Sequence, residues 1–262
     1  MEKRESLVTR SFGIVQRRFA ILWVAAAWPH ICLALCCMAI ATFLRAQHQP
    51  DEQPNPLNLW QSMGGLGKFG VVAAFIVGTS LPRGLAVAGV TAVVWKDFEA
   101  GVATLRDVFS GITDNLVQII LLSVCIGVVS QIGLLFLIIP GVIALMFAAF
   151  AIPVLVIEHV GVLSAIKRSF TLAVANPLAL LGLILVSMLL GTTLAVGAAV
   201  TVSNLISPNF PWWVSLAAFW TALVLAISLT QMVVATILTH LYIDIRGRRG
   251  ELAGIGNTEV LK

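Results

Sequence analysis

Residues 116–157 run for 42 residues without a charged side chain, broken only by Pro140-Gly141 near the middle. As a single helix this run would reach about 63 Å at about 1.5 Å per residue. A bilayer core is about 30 Å thick and is crossed by about 20 residues. The run is therefore two membrane crossings folded back on each other. Pro140-Gly141 is expected to mark the turn, because proline ends the incoming helix and glycine frees the next backbone dihedral. Pro153 is expected to kink the second crossing.

Hydrophobic residues make up 59% of the chain and charged residues 11%. A soluble domain carries about 25% charged residues to cover its surface, so a large soluble core is excluded. Three further apolar blocks lie at 20–44, 69–95 and 178–241, the last interrupted by a polar stretch from Ser203-Asn204 to Pro211. With the central run they predict six transmembrane helices. The first block is too long for a signal-peptide core and reads as a retained span. Cys32, Cys36, Cys37 and Cys125 all fall inside spans and read as packing residues, with no metal-type spacing.

Lys3, Arg4, Arg10, Arg17, Arg18, Lys96, Arg106, Lys167, Arg168, Arg246, Arg248, Arg249 and Lys262 fall on one side of a six-span chain. Only Arg45 and Lys68 fall on the other, and Arg83 lies within span two. This bias predicts that both termini are cytoplasmic.

Three segments on the basic side carry apolar stripes at helical spacing: Val8, Phe12, Val15, Phe19 in 6–19; Phe98, Val102, Leu105, Phe109 in 97–112; and Leu163, Ile166, Phe170 in 161–175. They superpose at offsets of 90 and 61 residues, and the second offset also aligns Arg106 with Lys167 and Asn115 with Asn176. The expected architecture is an all-α membrane fold of six transmembrane helices in three hairpins, each preceded by a cytoplasmic amphipathic surface helix. Its parts are an amphipathic N-terminal helix at 1–19, a six-span domain at 20–243 and a basic tail at 244–262. The third stripe is expected to dock on the bundle through Leu163, Ile166 and Phe170.

The segment Ile139-Pro140-Gly141 through Pro153 and Glu158, then Ala165 to Arg168-Ser169 and Asn176, resembles a family of bacterial integral membrane proteins. That family is labelled glycerophosphoryl diester phosphodiesterase membrane domain, and related uncharacterised inner-membrane families share its pattern. The exit of the last span, Tyr242, Asp244, Arg246 and Arg248, looks similar to that family's as well. The likeness covers about 100 residues well. It implies a bacterial inner-membrane location. Some members carry a soluble phosphodiesterase barrel; this chain has no soluble segment long enough for one, so the resemblance does not imply an enzyme.

Candidate sites fall into three groups. Glu158, Arg168, Asp244 and Arg246 sit at span exits on the basic side and read as ion pairs tying neighbouring helices. Lys167, Arg168, Arg17, Arg18 and Arg106 are candidates for anionic lipid headgroups or an envelope protein partner. Arg83 is a mid-membrane cation and needs protein or water around it. Gln231 lies at matching depth on another inward-running span and is its expected partner, with Thr192 and Thr193 behind. His30, also in a span, is expected to be packed and hydrogen-bonded.

Neither a nucleophile–base pair nor a cofactor, metal or nucleic-acid site is legible in the residues. The leading expectation is a non-enzymatic membrane protein that binds or organises anionic lipid or partner proteins. A small permease built around Arg83 is the alternative, and an intramembrane hydrolase a weaker one. Reporter fusions at residues 55 and 207 should read as external, and at 105, 170 and 255 as internal; an internal signal at 207 would break the hairpin of spans five and six.

Overall fold

The computed structural model describes residues 7–46, 64–136, 138–205 and 212–251. Among these the chain is helical and has no strand: α1 Leu7–Ala46, α2 Gly65–Ala100, α3 Leu105–Thr113, α4 Leu116–Phe136, α5 Ile138–Ala148, α6 Ala151–Glu158, α7 Val162–Ala175, α8 Pro177–Leu205 and α9 Trp212–Arg248. Six stretches are long and apolar enough to cross a bilayer, the fourth being α5 and α6 together. The fold is an all-α, multi-pass membrane bundle. Most of the 45–67 loop, the turn before α9 and the tail beyond residue 251 lie outside the described residues. The last helix continues past residue 243 to Arg248, so the first part of the expected tail is helical.

The three hairpins pack in a ring. Their second helices meet: α2 packs on α6 and α9, Thr91 and Thr239 hydroxyls pair at 3.1 Å, and the Phe150 and Tyr242 rings lie 6.1 Å apart. The first helices fill the gaps, α1 against α2 and α9, α4 against α2 and α5, and α8 against α9 and α5. The buried core, with Leu22, Val93, Ile119, Leu155, Leu172 and Tyr242, gathers where the surface helices join the spans.

Spans cannot be driven together in lipid by the hydrophobic effect, so small residues must let backbones approach. Spans two and three do this with two antiparallel small-residue pairs, Ser80 against Gly127 and Gly84 against Ser123. A methyl group on Gly127 would sit 1.8 Å from Ser80 Oγ, and one on Gly84 would sit 1.7 Å from Ser123 Oγ. At the far end of spans three and four, a methyl on Gly133 would meet Gly141 Cα at 2.8 Å.

Several expectations are corrected. Pro140-Gly141 is not the turn between spans three and four; both residues lie in the first turn of α5, where the missing proline N–H has no helical partner to lose. Pro153 does not bend a continuous helix. Span four is broken four residues earlier, at Ala149-Phe150, and Pro153 sits in the first turn of α6. That placement follows from the same chemistry, since proline leaves the carbonyl four residues back without a donor. Residues 97–112 are not one helix. α2 runs to Ala100 and stops at Gly101, which adopts φ 68° and donates its N–H to Asp97 O. α3 restarts after Thr104, whose N–H and hydroxyl both donate to Asp107 at 2.7 Å. The Thr104 hydroxyl, foremost among several causes, holds the Asp107 carboxyl below its usual value. This cap is fully present above the ordinary carboxylate range and is lost as pH falls through the lowered value. Cys32, Cys36 and Cys125 are exposed on the bundle exterior rather than packed inside it.

The largest correction concerns the stripes. Leu163, Ile166 and Phe170 are 75%, 38% and 50% exposed, whereas Ala165, Ser169 and Leu172 on the opposite face are fully buried. Phe12, Phe19, Val102, Leu105 and Phe109 are likewise exposed. Leu163 and Ile166 face outward because the surroundings of a membrane protein are apolar as well, and the bundle takes the small face. Phe170 does dock in part, its ring 4.4 Å from that of Phe147 on α5, and Val15 and Phe98 pack against the core. The repeat itself holds at the offset of 61: Val108, Ile112 and Ile119 are buried, as are Ser169, Ala173 and Leu180. Asn115 and Asn176 occupy the same joint. Each donates its N–H three residues back, to Ile112 and Ala173, and accepts four residues on, from Ile119 and Leu180. In the first unit the surface helix and span one run on as α1, with a non-helical break at Arg18.

Gly127→Ala should lower the melting temperature in detergent by the equivalent of about 1–3 kcal/mol, the usual cost of overpacking. Ser80→Gly in the same chain should return part of that loss. Full additivity of the two changes would count against the contact.

Candidate functional site

Two polar regions stand out. The first is a cavity of about 240 Å³ bounded by spans two to six. Arg83 projects into it from α2, with Thr79, Ser80 and Gly84 on the same helix. α4 contributes Ser123, Gly127, Ser130 and Gln131, and α9 contributes Gln231. The remaining wall is apolar, with Ile126, Leu145, Ile152, Leu183 and Leu238 among its members. Arg83 keeps an exposed surface where it lines the cavity.

Arg83 and Gln231 thus share one cavity, but no hydrogen bond joins them, and among the described residues Arg83 has no ion-pair partner. The hydroxyls around them are occupied. Ser80 donates to Ile76 O, Ser123 to Ile119 O and Ser130 to Ile126 O, each at 2.6 Å. Thr79 donates to Phe75 O and accepts from Gln131 Nε2, both at 2.8 Å. Such bonds to the preceding turn satisfy a hydroxyl proton within its own helix and leave the oxygen as an acceptor. The guanidinium and the Gln231 amide therefore remain as free donors. Thr192 and Thr193 are exposed and take no part in the cavity. Sequence reasoning missed Ser123, Ser130 and Gln131. Their signal was small and polar residues at three- and four-residue spacing in an otherwise apolar span.

The second region lies where the spans leave the bundle on the basic side. Tyr242 donates to Glu158 Oε1 at 2.5 Å, Arg168 Nε donates to the same oxygen at 3.4 Å, and Arg246 Nε lies 3.8 Å from it. Arg246 also reaches Glu251 at 3.3 Å, and Arg168 pairs with Glu251 as well. The structure thus brings Glu158, Arg168 and Arg246 together and adds Tyr242 and Glu251. Asp244 stays outside and pairs with Arg248 on its own helix. Next to Arg168, Ser169 closes the break in span four. Its hydroxyl donates to Phe147 O at 2.6 Å and accepts from Phe150 N–H at 3.1 Å. The surface helix α7 therefore supplies the hydrogen bonds that the broken span lacks.

Among the lipid-facing candidates, Arg17, Arg106 and Lys167 are exposed. Arg17 also lies 3.7 Å from Asp97, at its exposed edge, and Arg18 is held more fully. It donates to Asp97 at 2.9 Å and to the carbonyl of Gly101 at 2.8 Å, tying α1 to the end of α2. His30 is buried with Nδ1 2.8 Å from Ala26 O on its own helix. No family model, curated protein or solved structure matches the chain.

Glu158→Gln should leave two arginines sharing Glu251 and lower stability by about 1–3 kcal/mol, the cost of stranding charged hydrogen-bonding groups. Asp244→Asn should change it by under about 0.5 kcal/mol, as for an exposed pair within one helix. Equal melting temperatures for the two variants in detergent would contradict the cluster.

Proposed function

We propose that this chain is a non-enzymatic membrane protein that binds an anionic lipid in the cavity around Arg83. The observation that carries this reading is a cation midway along an apolar span, lining an open cavity, with no anion beside it among the described residues. An arginine there costs about 2.5–3.5 kcal/mol on insertion scales. A structural arginine recovers that cost through partners, and Arg83 is left with its donors free. An anion in the cavity supplies the missing charge and accepts the guanidinium N–H groups. The exposed apolar stripes beside Arg17, Arg106 and Lys167 support the same lipid setting, with the surface helices lying in the interface and their cations near anionic headgroups. The positive-charge bias supports a bacterial inner-membrane location with both termini cytoplasmic.

A permease is the second reading. It is favoured by the break in span four, because Ala148 and Ala149 at that break line the cavity, and interrupted helices frame transport sites. Accumulation of an anion inside proteoliposomes would favour it over simple binding.

Native mass spectrometry should find anionic lipid retained by the wild type and lost from Arg83→Gln. The variant should keep or gain thermal stability in detergent, since it removes a costly charge that has no hydrogen-bond or ion-pair partner among the described residues. Equal retention by both proteins would overturn the proposal.

A further inference from the structure

α5 and α8 both border the cavity. Leu145 of α5 and Leu180, Leu183 and Ile184 of α8 face the cavity. On an adjoining face of the same two helices, Ile143, Met146, Leu178 and Leu181 line a second, wholly apolar cleft of about 370 Å³. Successive residues, Leu145 and Met146, and again Leu180 and Leu181, thus look into the two spaces in turn. Span five is the most exposed of the six, with 6% of its most apolar stretch buried against 28–44% in the others. α8 leans chiefly on α9 and touches α5 over a shorter stretch, so the α5–α8 seam is the weaker of these two contacts. The Ser187, Thr192 and Thr201 hydroxyls of α8 donate to carbonyls of α8 itself and do not reach α5.

The cavity also selects chemistry. Arg83 is the one formal charge among its lining residues. A single negative charge gives a neutral pair, whereas a dianion would leave one charge without a partner among the lining residues. Ser80 and Ser123 turn their oxygens toward Gly127 and Gly84 at the span two–three contact, whereas Ser130, whose proton goes to Ile126 O, lines the cavity with an oxygen left to accept. A headgroup that carries hydroxyl donors beside its anion satisfies both.

We propose that a monoanionic, hydroxyl-bearing lipid enters sideways through the α5–α8 seam, setting its headgroup on Arg83 and leaving acyl chain in the apolar cleft. This rests on Arg83 being the anion site, and it adds the route, the resting place of the chain and the headgroup class. The cleft supplies the hydrocarbon contact that a water-soluble anion would not use, and continuity of the two spaces across one seam joins chain to head.

The test uses the full-length protein in nanodiscs doped with phosphatidylglycerol bearing a photoreactive group on its acyl chain, with adducts mapped by mass spectrometry. Adducts are expected on α5 and α8 at the cleft. They should fall about tenfold in Arg83→Gln, as for loss of a charge-assisted hydrogen bond, and return in part in Arg83→Lys. Met146→Trp and Leu181→Trp fill the cleft and should lower labelling while Arg83 is untouched. Equally photoreactive phosphatidylcholine should label weakly, and phosphatidylmethanol, an anion without the hydroxyls, should label less than phosphatidylglycerol. Equal labelling by phosphatidylmethanol would overturn the headgroup assignment. Adducts that depend on Arg83 but map away from α5 and α8, or that survive the tryptophans, would overturn the route and leave the anion site standing. Labelling unchanged in an Arg83→Gln protein of wild-type melting temperature would overturn the site itself.

Discussion

Lipid is as apolar as the interior of a protein, and that one constraint shapes this bundle. Burying leucine against leucine gains little when the alternative is leucine against an acyl chain. What remains is close approach of backbones and satisfaction of polar groups. Ser80 against Gly127 and Gly84 against Ser123 bring spans two and three together where any larger side chain would push them apart. The same logic turns the surface helices over. Leu163 and Ile166 face the surroundings, Phe170 leans on Phe147, and Ala165 and Ser169 face the protein.

The second consequence is that each broken hydrogen bond must be mended locally. The interruption in span four frees backbone groups near Phe147 and Phe150, and Ser169 meets both from a neighbouring helix. Arg168, one residue away, anchors that helix to Glu158 and Glu251. A polar cluster at the bundle's end is thereby connected to a break whose residues, Ala148 and Ala149, form part of the cavity wall. Within the cavity the serines look inward to their own backbones, which leaves Arg83 as the dominant free donor facing open space.

Periodicity and charge made the number of spans, the surface helices and the 61-residue repeat legible, because bilayer thickness and helical pitch act on each segment independently. Pro140, Pro153 and Gly101 were legible as punctuation, but their effects fell elsewhere. Pro140 and Pro153 begin helices here instead of ending or bending them, and Gly101 ends a helix that the stripe of Phe98 and Val102 ran straight through. Glu158, Arg168 and Arg246 were legible as charges at span exits; Tyr242 and Glu251 were not, since a tyrosine or a tail glutamate carries no period that marks it.

The chain alone determined that it forms six apolar helices, that an arginine lies at mid-depth in the second, and that basic residues collect at one end. These follow from length, hydropathy and residue count, which need no knowledge of neighbours. Only the tertiary structure decided which face of each helix turns inward, which carboxylate meets which arginine, and that Arg83, Gln231, Ser123 and Ser130 share one cavity. The physical reason is that in a bilayer both the inside and the outside of the bundle accept apolar side chains. Orientation is then set by the fit of small residues across helices far apart in sequence, which no single segment records.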